Sequence, residues 1–152
     1  MNSLSIRKSS GIAAVEFLIT LPLLLLIFSG IVEFGNAFLR YNTLSKAVQN
    51  GVRISVVDVY GSSNSAEVSD DTLIKNVVVY GNKEGTGTKV LGTLSVDDVT
   101  VTRETATDSS GNSYIQYVTV TAVYSYVPLL NYLTDVLTGM KLRSSAIMRV
   151  AP

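Results

Sequence analysis

The stretch Gly11-Ile-Ala-Ala-Val-Glu16-Phe17-Leu-Ile-Thr-Leu-Pro22-Leu-Leu-Leu-Leu-Ile-Phe-Ser-Gly30-Ile-Val32 decides how this chain is built. From Ile12 to Val32 its only charge is Glu16, and the run of 21 residues matches the roughly 20 that span a bilayer as a helix. A charge in a bilayer core costs roughly 2.5–3.5 kcal/mol on insertion scales, so a chain carries one for a reason, usually a partner charge. Glu16 stands five residues after a glycine that closes a short, polar, basic leader containing Arg7 and Lys8. That spacing points to a leader cut before the apolar segment, with the segment kept in the mature protein.

Flanking charge sets the orientation. Arg7 and Lys8 precede the span and Glu33 is the first residue after it. The positive-inside rule puts the N-terminus in the cytoplasm and the rest of the chain outside. Pro22 is tolerated in a membrane helix when neighbouring helices satisfy the freed carbonyl, so a kink is expected there and not a stop. Ser29 and Gly30 offer a small surface for close helix contact.

Three readings of the segment compete. A secretory signal peptide would have an apolar core of about 7–15 residues and a small-x-small site. Gly35-Asn36-Ala37 fits such a site, but the core is too long and holds Glu16. A plain uncleaved anchor would need Glu16 to snorkel, which its short side chain does poorly. The third reading is a prepilin-type leader cut after Gly11.

The string Gly11-Ile-Ala-Ala-Val-Glu16-Phe17 resembles the Gly-x4-Glu-Phe/Tyr processing site of type IVb prepilins and pseudopilins. The longer stretch to about residue 55 resembles the TadE-like pseudopilins of tight-adherence (Flp pilus) systems. The matching positions are Ala13, Ala14, Glu16, Phe17, Pro22, Gly30, Glu33, Gly35, Gly51 and Arg53. The ending also looks like the family's, in Tyr126-Val-Pro-Leu-Leu130 and in Leu142-Arg-Ser-Ser-Ala-Ile-Met-Arg149. Asn36 departs from it, where a basic residue is usual, and so does Val48-Gln49, where Ala-Ala or Ala-Arg is commoner. Neither departure touches the processing site.

The resemblance implies a minor pseudopilin, an assembly component of a type IVb pilus and secretion system. The major pilin of such systems is much shorter and lacks a domain like residues 60–152. The implied processing site is Gly11, Ile12, Glu16 and Phe17, with Glu16 and Pro22 serving assembly. The implied partners are a prepilin peptidase, other pilins and pseudopilins, an inner-membrane assembly platform and the lipid bilayer. The implied place is the inner membrane, with a single span and the C-terminal domain periplasmic or extracellular. Two alternatives stand beside it: a filament subunit of another type IV class, and a single-pass anchored binding protein with no filament role.

Beyond the span the helical pattern continues. Phe34, Ala37, Phe38, Tyr41, Leu44, Val48 and Val52 recur at helical spacing, with Asn36, Arg40, Thr43, Lys46, Gln49, Asn50 and Arg53 on the other side. One helix from about Ile12 to Val57 would be roughly 65–70 Å long. A coiled coil is the rival explanation of the stripe, but the heptad is too short and mixed. Gly61-Ser-Ser-Asn-Ser65 reads as a loop.

Asp70 or Ser69 can cap a short second helix carrying Leu73, Ile74, Val77 and Val78. A strand over Val77–Tyr80 is the alternative, since β-branched residues dominate it. Gly81 to Gly92 reads as an irregular connection.

Asp97–Glu104 and Tyr114–Val127 read as strands joined by the polar turn Thr105–Ser113. Val118, Val120, Ala122, Tyr124 and Tyr126 share one face of the second strand. Leu142–Val150 is a third strand, with Leu142, Ala146 and Met148 inward. An antiparallel sheet with one apolar face needs a cover. Phe38, Tyr41, Leu44 and Val48 of the long helix are expected to supply it.

The fold class is therefore α+β and pilin-like: a long N-terminal transmembrane helix continuing into a helix packed on a small antiparallel sheet. The expected parts are a leader over 1–11, a span over 12–32 and an extracytoplasmic domain over 33–152. In that domain the helix runs to about 57 and the sheet covers about 96–150. Pro128–Leu137 is a proline-started segment whose apolar residues are either a crossover packed on the sheet or a patch that touches membrane or another subunit.

Catalytic chemistry finds little support. The chain has no cysteine and no histidine, which removes thiol nucleophiles, Cys-ligated metals and the commonest general base. Asp70-Asp71 reads as a helix N-terminus and Asp97-Asp98 as a strand edge, since neighbouring carboxylates on either element point apart. Asp108–Asn112 lacks the spaced acidic ligands of a calcium loop. A formal net charge of zero gives no case for nucleic acid. Neither an enzymatic activity nor a cofactor is expected.

Overall fold

A computed structural model describes residues 9–61, 70–137 and 139–150. Arg7 and Lys8 of the expected leader, residues 62–65 of the expected loop and the Ser69 cap lie outside the described residues.

The first helix, α1, is continuous over Ser9–Gly61 with Pro22 inside it. At 53 residues it is about 80 Å long. Proline's missing N–H and ring clash would break a helix in water, but here the helix passes through it. Residues 11–32 are almost wholly exposed, whereas α1 from Ala37 onward has a buried side.

The second helix, α2, spans Asp71–Tyr80 and settles the Val77–Tyr80 alternative in favour of helix. The Asp70 carboxylate accepts from the Thr72 N–H, satisfying one donor of the first turn. At the other end Gly81 takes the left-handed conformation (φ 76°) and its N–H donates to the Val77 carbonyl. Ile74, Val77, Val78 and Val79 are buried.

Three strands follow, β1 (Val99–Thr107), β2 (Ser113–Ser125) and β3 (Lys141–Arg149), antiparallel in the order β1-β2-β3. The β1–β2 pairing is the hairpin expected from its polar turn. Val120 pairs with Val101 on one side and Ala146 on the other, so the three apolar faces coincide. Asp97 and Asp98 are not a strand edge; they belong to a 3₁₀ turn over Val96–Asp98 that enters β1. Asp98 accepts from the Ser95 N–H there, so its carboxylate closes a turn.

The lower half of α1 lies over β2 and β3, and α2 packs beside it toward β1. Leu44, Val48 and Val52 meet Val118, Val120, Ala122 and Tyr124 in the core, with Ile74, Val78 and Leu94 closing one side. Gly51 permits the close approach of the two helices. A Cβ there would stand 2.5 Å from Val78 Cγ2.

The cover differs from the expected stripe at its upper end. Leu44, Val48 and Val52 are buried, but Phe34 is 75% exposed and Phe38 is 56% exposed. Tyr41 is exposed too, and Ala47 takes the inward place beside Val48. Asn36 and Arg40, expected on the outer side, instead reach the sheet, because Tyr124 and Tyr126 present hydroxyls to them.

The segment expected as a proline-started helix is a 3₁₀ turn at Asn131–Leu133 followed by a four-residue helix, α3, over Thr134–Leu137. Pro128 precedes both. Leu137 packs against the core, but Leu129, Tyr132 and Val136 are exposed, so the segment does not bury an apolar side on the sheet.

Candidate functional site

Two places on α1 carry the chemistry of this chain. The first is the processing segment. Gly11, Ile12, Glu16 and Phe17 lie within continuous helix, all exposed, and a Cβ at Gly11 would meet nothing within 4 Å. Glu16 and Ile12 are one turn apart and share a face. Thr20 Oγ1 donates to the Glu16 carbonyl at 3.1 Å, but among the described residues no side chain pairs with the Glu16 carboxylate. Pro22 is exposed as well. The whole segment offers an apolar cylinder with one acidic group.

The second place lies where the apolar run ends. Glu33 is only 4% exposed. Its Oε1 accepts from the Tyr126 hydroxyl at 2.5 Å and the Leu129 N–H at 2.9 Å, and its Oε2 accepts from the Leu130 N–H at 3.2 Å. Asn36 Nδ2 donates to the Tyr126 oxygen at 2.9 Å, and Arg40 Nη1 donates to the Tyr124 hydroxyl at 2.9 Å. Burial by itself pushes the Glu33 carboxyl up. The Tyr126, Leu129 and Leu130 donors and the Arg40 charge outweigh it and hold the group below its ordinary value. Tyr126 moves the other way: burial, and then its hydrogen bond to the Glu33 carboxylate, raise its hydroxyl.

The effect is mechanical. Glu33 ties the exit of β2 and the first residues of the crossover to the membrane end of the domain. Sequence reasoning placed Glu33 only as the first charge after the span and Arg40 on the outer face. The signal was present in the spacing. Glu33, Asn36 and Arg40 follow one helical face, and Tyr124 and Tyr126 follow one strand face.

Next to this network a cleft of about 310 Å³ is lined by Gly30, Glu33, Phe34 and Ala37 of α1 and by Leu133, Val136, Leu137 and Met140 of the crossover, with Tyr126. Its lining is almost wholly apolar. The Asp108 turn, in contrast, is self-contained: Asp108 accepts from Ser110 and Asn112 of its own loop, which hold its carboxyl low. No group of three or more metal-ligating side chains gathers among the described residues.

The family model for TadE-like protein matches residues 11–53. The match starts at Gly11, covers Glu16, Pro22 and Glu33, and ends at Arg53, inside α1. No curated protein and no solved structure matches the chain significantly. The matched segment and the helix-on-sheet fold together support a pilin-like protein associated with the tight-adherence pilus. Among the described residues, one helix is long and apolar enough to span a membrane.

Proposed function

We propose that this chain is a minor pseudopilin of a tight-adherence (Flp, type IVb) pilus and secretion system. It is a structural and assembly component rather than an enzyme. A prepilin peptidase cuts it after Gly11, and the span then joins other pilins and pseudopilins on an inner-membrane assembly platform. The domain from Glu33 onward stands on the extracytoplasmic side.

The observation that carries this reading is Glu16. It is a lone carboxylate on an exposed apolar helix face, one turn after Ile12, with no partner among the described residues. Cleavage after Gly11 would place a cationic amine on Ile12, and that amine on a neighbouring subunit is the partner Glu16 lacks. In a low-dielectric filament core such a pair attracts far more strongly than in water. Glycine before the cut leaves the backbone open to the peptidase.

Glu16→Ala tests this. The variant is expected to insert in the membrane as well as wild type, or better, and to impair assembly. Normal pilus assembly by Glu16→Ala at wild-type protein levels would contradict the proposal and favour a simple anchor.

A further inference from the structure

The crossover between β2 and β3, residues 127–140, leaves part of its apolar side unburied at one particular height on the molecule. Leu129 is 58% exposed, Tyr132 64% and Val136 76%. Phe34 of α1, which lines the same cleft as Val136, is exposed as well. A patch of this kind on a monomer marks a surface that something covers.

Its height follows from the topology. β2 runs antiparallel to α1: Tyr124 meets Arg40, and Tyr126 meets Asn36 and Glu33. The exit of β2 is therefore at the membrane end of the domain. The crossover is then held there by two backbone N–H groups on the Glu33 carboxylate. It also shares its cleft with Gly30, which belongs to the apolar run itself. Gly30 is about 4.5 Å of helix rise above Glu33, toward the bilayer. The interfacial layer on each side of a bilayer is about 5–7 Å deep. The crossover thus lies at the depth of the lipid headgroups.

We propose that this crossover is a second membrane contact, seated in the interfacial layer of the leaflet from which α1 emerges. Leu129, Tyr132 and Val136 lie on the lipid, with Phe34 beside Val136 across the cleft. The occupant is lipid because the patch is continuous with the lipid-facing surface of the span. Residues 127–140 carry one charge, Asp135, so the contact needs no anionic headgroup. Tyr132 suits the place, with an apolar ring and a polar tip at a membrane–water boundary. The Glu33 network supports the contact: it satisfies the part-buried Leu129 and Leu130 N–H groups where, on this reading, water is scarce. The inference rests on the reading that residues 12–32 lie in the bilayer.

The chain has no tryptophan, so one introduced residue reports its own surroundings. The full chain is reconstituted in phosphatidylcholine vesicles as three variants: Tyr132→Trp in the crossover, Ile19→Trp in the span and Ser110→Trp at the hairpin tip. Emission is compared with and without lipids brominated near the headgroup or deep in the acyl chain. Tyr132→Trp is expected to show blue-shifted emission that is lost most with shallow bromines. Ile19→Trp should lose most with deep bromines, and Ser110→Trp should lose none. Val136→Trp repeats the crossover measurement should Tyr132→Trp perturb folding. Unquenched Tyr132→Trp and Val136→Trp beside a quenched Ile19→Trp would overturn the contact and leave the span standing. A blue shift that ignores bromine and grows with protein-to-lipid ratio would overturn it in favour of a second subunit. No quenching at any site would overturn the span and the contact together.

Discussion

A carboxylate survives on an apolar helix either by being satisfied within its own chain or by awaiting a partner. Glu33 is satisfied, by three donors and a nearby guanidinium. Removing its side chain takes the acceptor from the part-buried Leu129 and Leu130 N–H groups and leaves the buried Tyr126 hydroxyl only the Glu33 carbonyl at 3.3 Å. Glu33→Ala is therefore expected to destabilise the domain by about 1–3 kcal/mol, the usual cost of stranding buried polar groups. Tyr126→Phe should cost less, because it removes one donor and leaves two on the carboxylate. Chemical denaturation of the detergent-solubilised protein measures both. The Glu33 network also predicts a pH dependence. Its folded-state carboxyl is held below the ordinary 4.5, so its contribution is full above that value and declines as pH falls through the lowered one. Asp108 is lowered as well and adds to the acid loss. The comparison is thus between wild type and Glu33→Gln, and the variant should lose less stability than wild type between neutral pH and the acid range. Equal loss in both would mean that Glu33 carries no charge-dependent contact.

Among the elements, α1 serves three surroundings in turn, and this decides what its sequence discloses. The apolar run is plain from length and composition alone. So is the lower stripe, where Leu44, Val48 and Val52 face the sheet and Lys46, Gln49 and Arg53 face outward. Between them lies the part that periodicity misread. Near the span the outer medium is not bulk water on the reading proposed above, so Phe34 is free to face out. Asn36 and Arg40 turn inward because tyrosine hydroxyls there supply partners. Amphipathic counting assumes water outside and apolar groups inside, and it fails where neither holds. The short α2 was legible because its capping aspartate, apolar set and terminal glycine agree. The crossover was not, since a proline followed by leucines reads as a helix while the Glu33 bonds hold its first residues extended. These differences make testable contrasts. Leu44→Asp buries an unpaired charge and should unfold the domain, whereas Phe38→Ala should change stability by no more than about 0.5 kcal/mol. Gly51→Ala pushes a methyl into Val78 and should cost about 1–3 kcal/mol as overpacking. Thermal melts followed by circular dichroism compare all three with wild type. A Leu44→Asp protein that melts like wild type would mean this half of the helix is not core.

At the scale of the whole molecule, a domain hangs on a long helix whose residues 11–28 are exposed almost throughout among the described residues. The sheet, α2 and the lower half of α1 close one core, and the Glu33 network sets where that core ends. A soluble fragment should therefore begin before Glu33. One starting at Ile31 is expected to melt at a higher temperature than one starting at Asn36, which lacks the carboxylate; equal melting would show that the network does not brace the domain. On the pseudopilin reading the exposed apolar part of α1 meets bilayer and other subunits, and it must first be released from its leader. Intact mass of the protein extracted from membranes of cells with and without the prepilin peptidase measures this most directly. A chain beginning at Ile12 when the peptidase is present, and at Met1 when it is absent, is the predicted result. A chain that begins at Met1 in both, or at Phe38, would contradict the account.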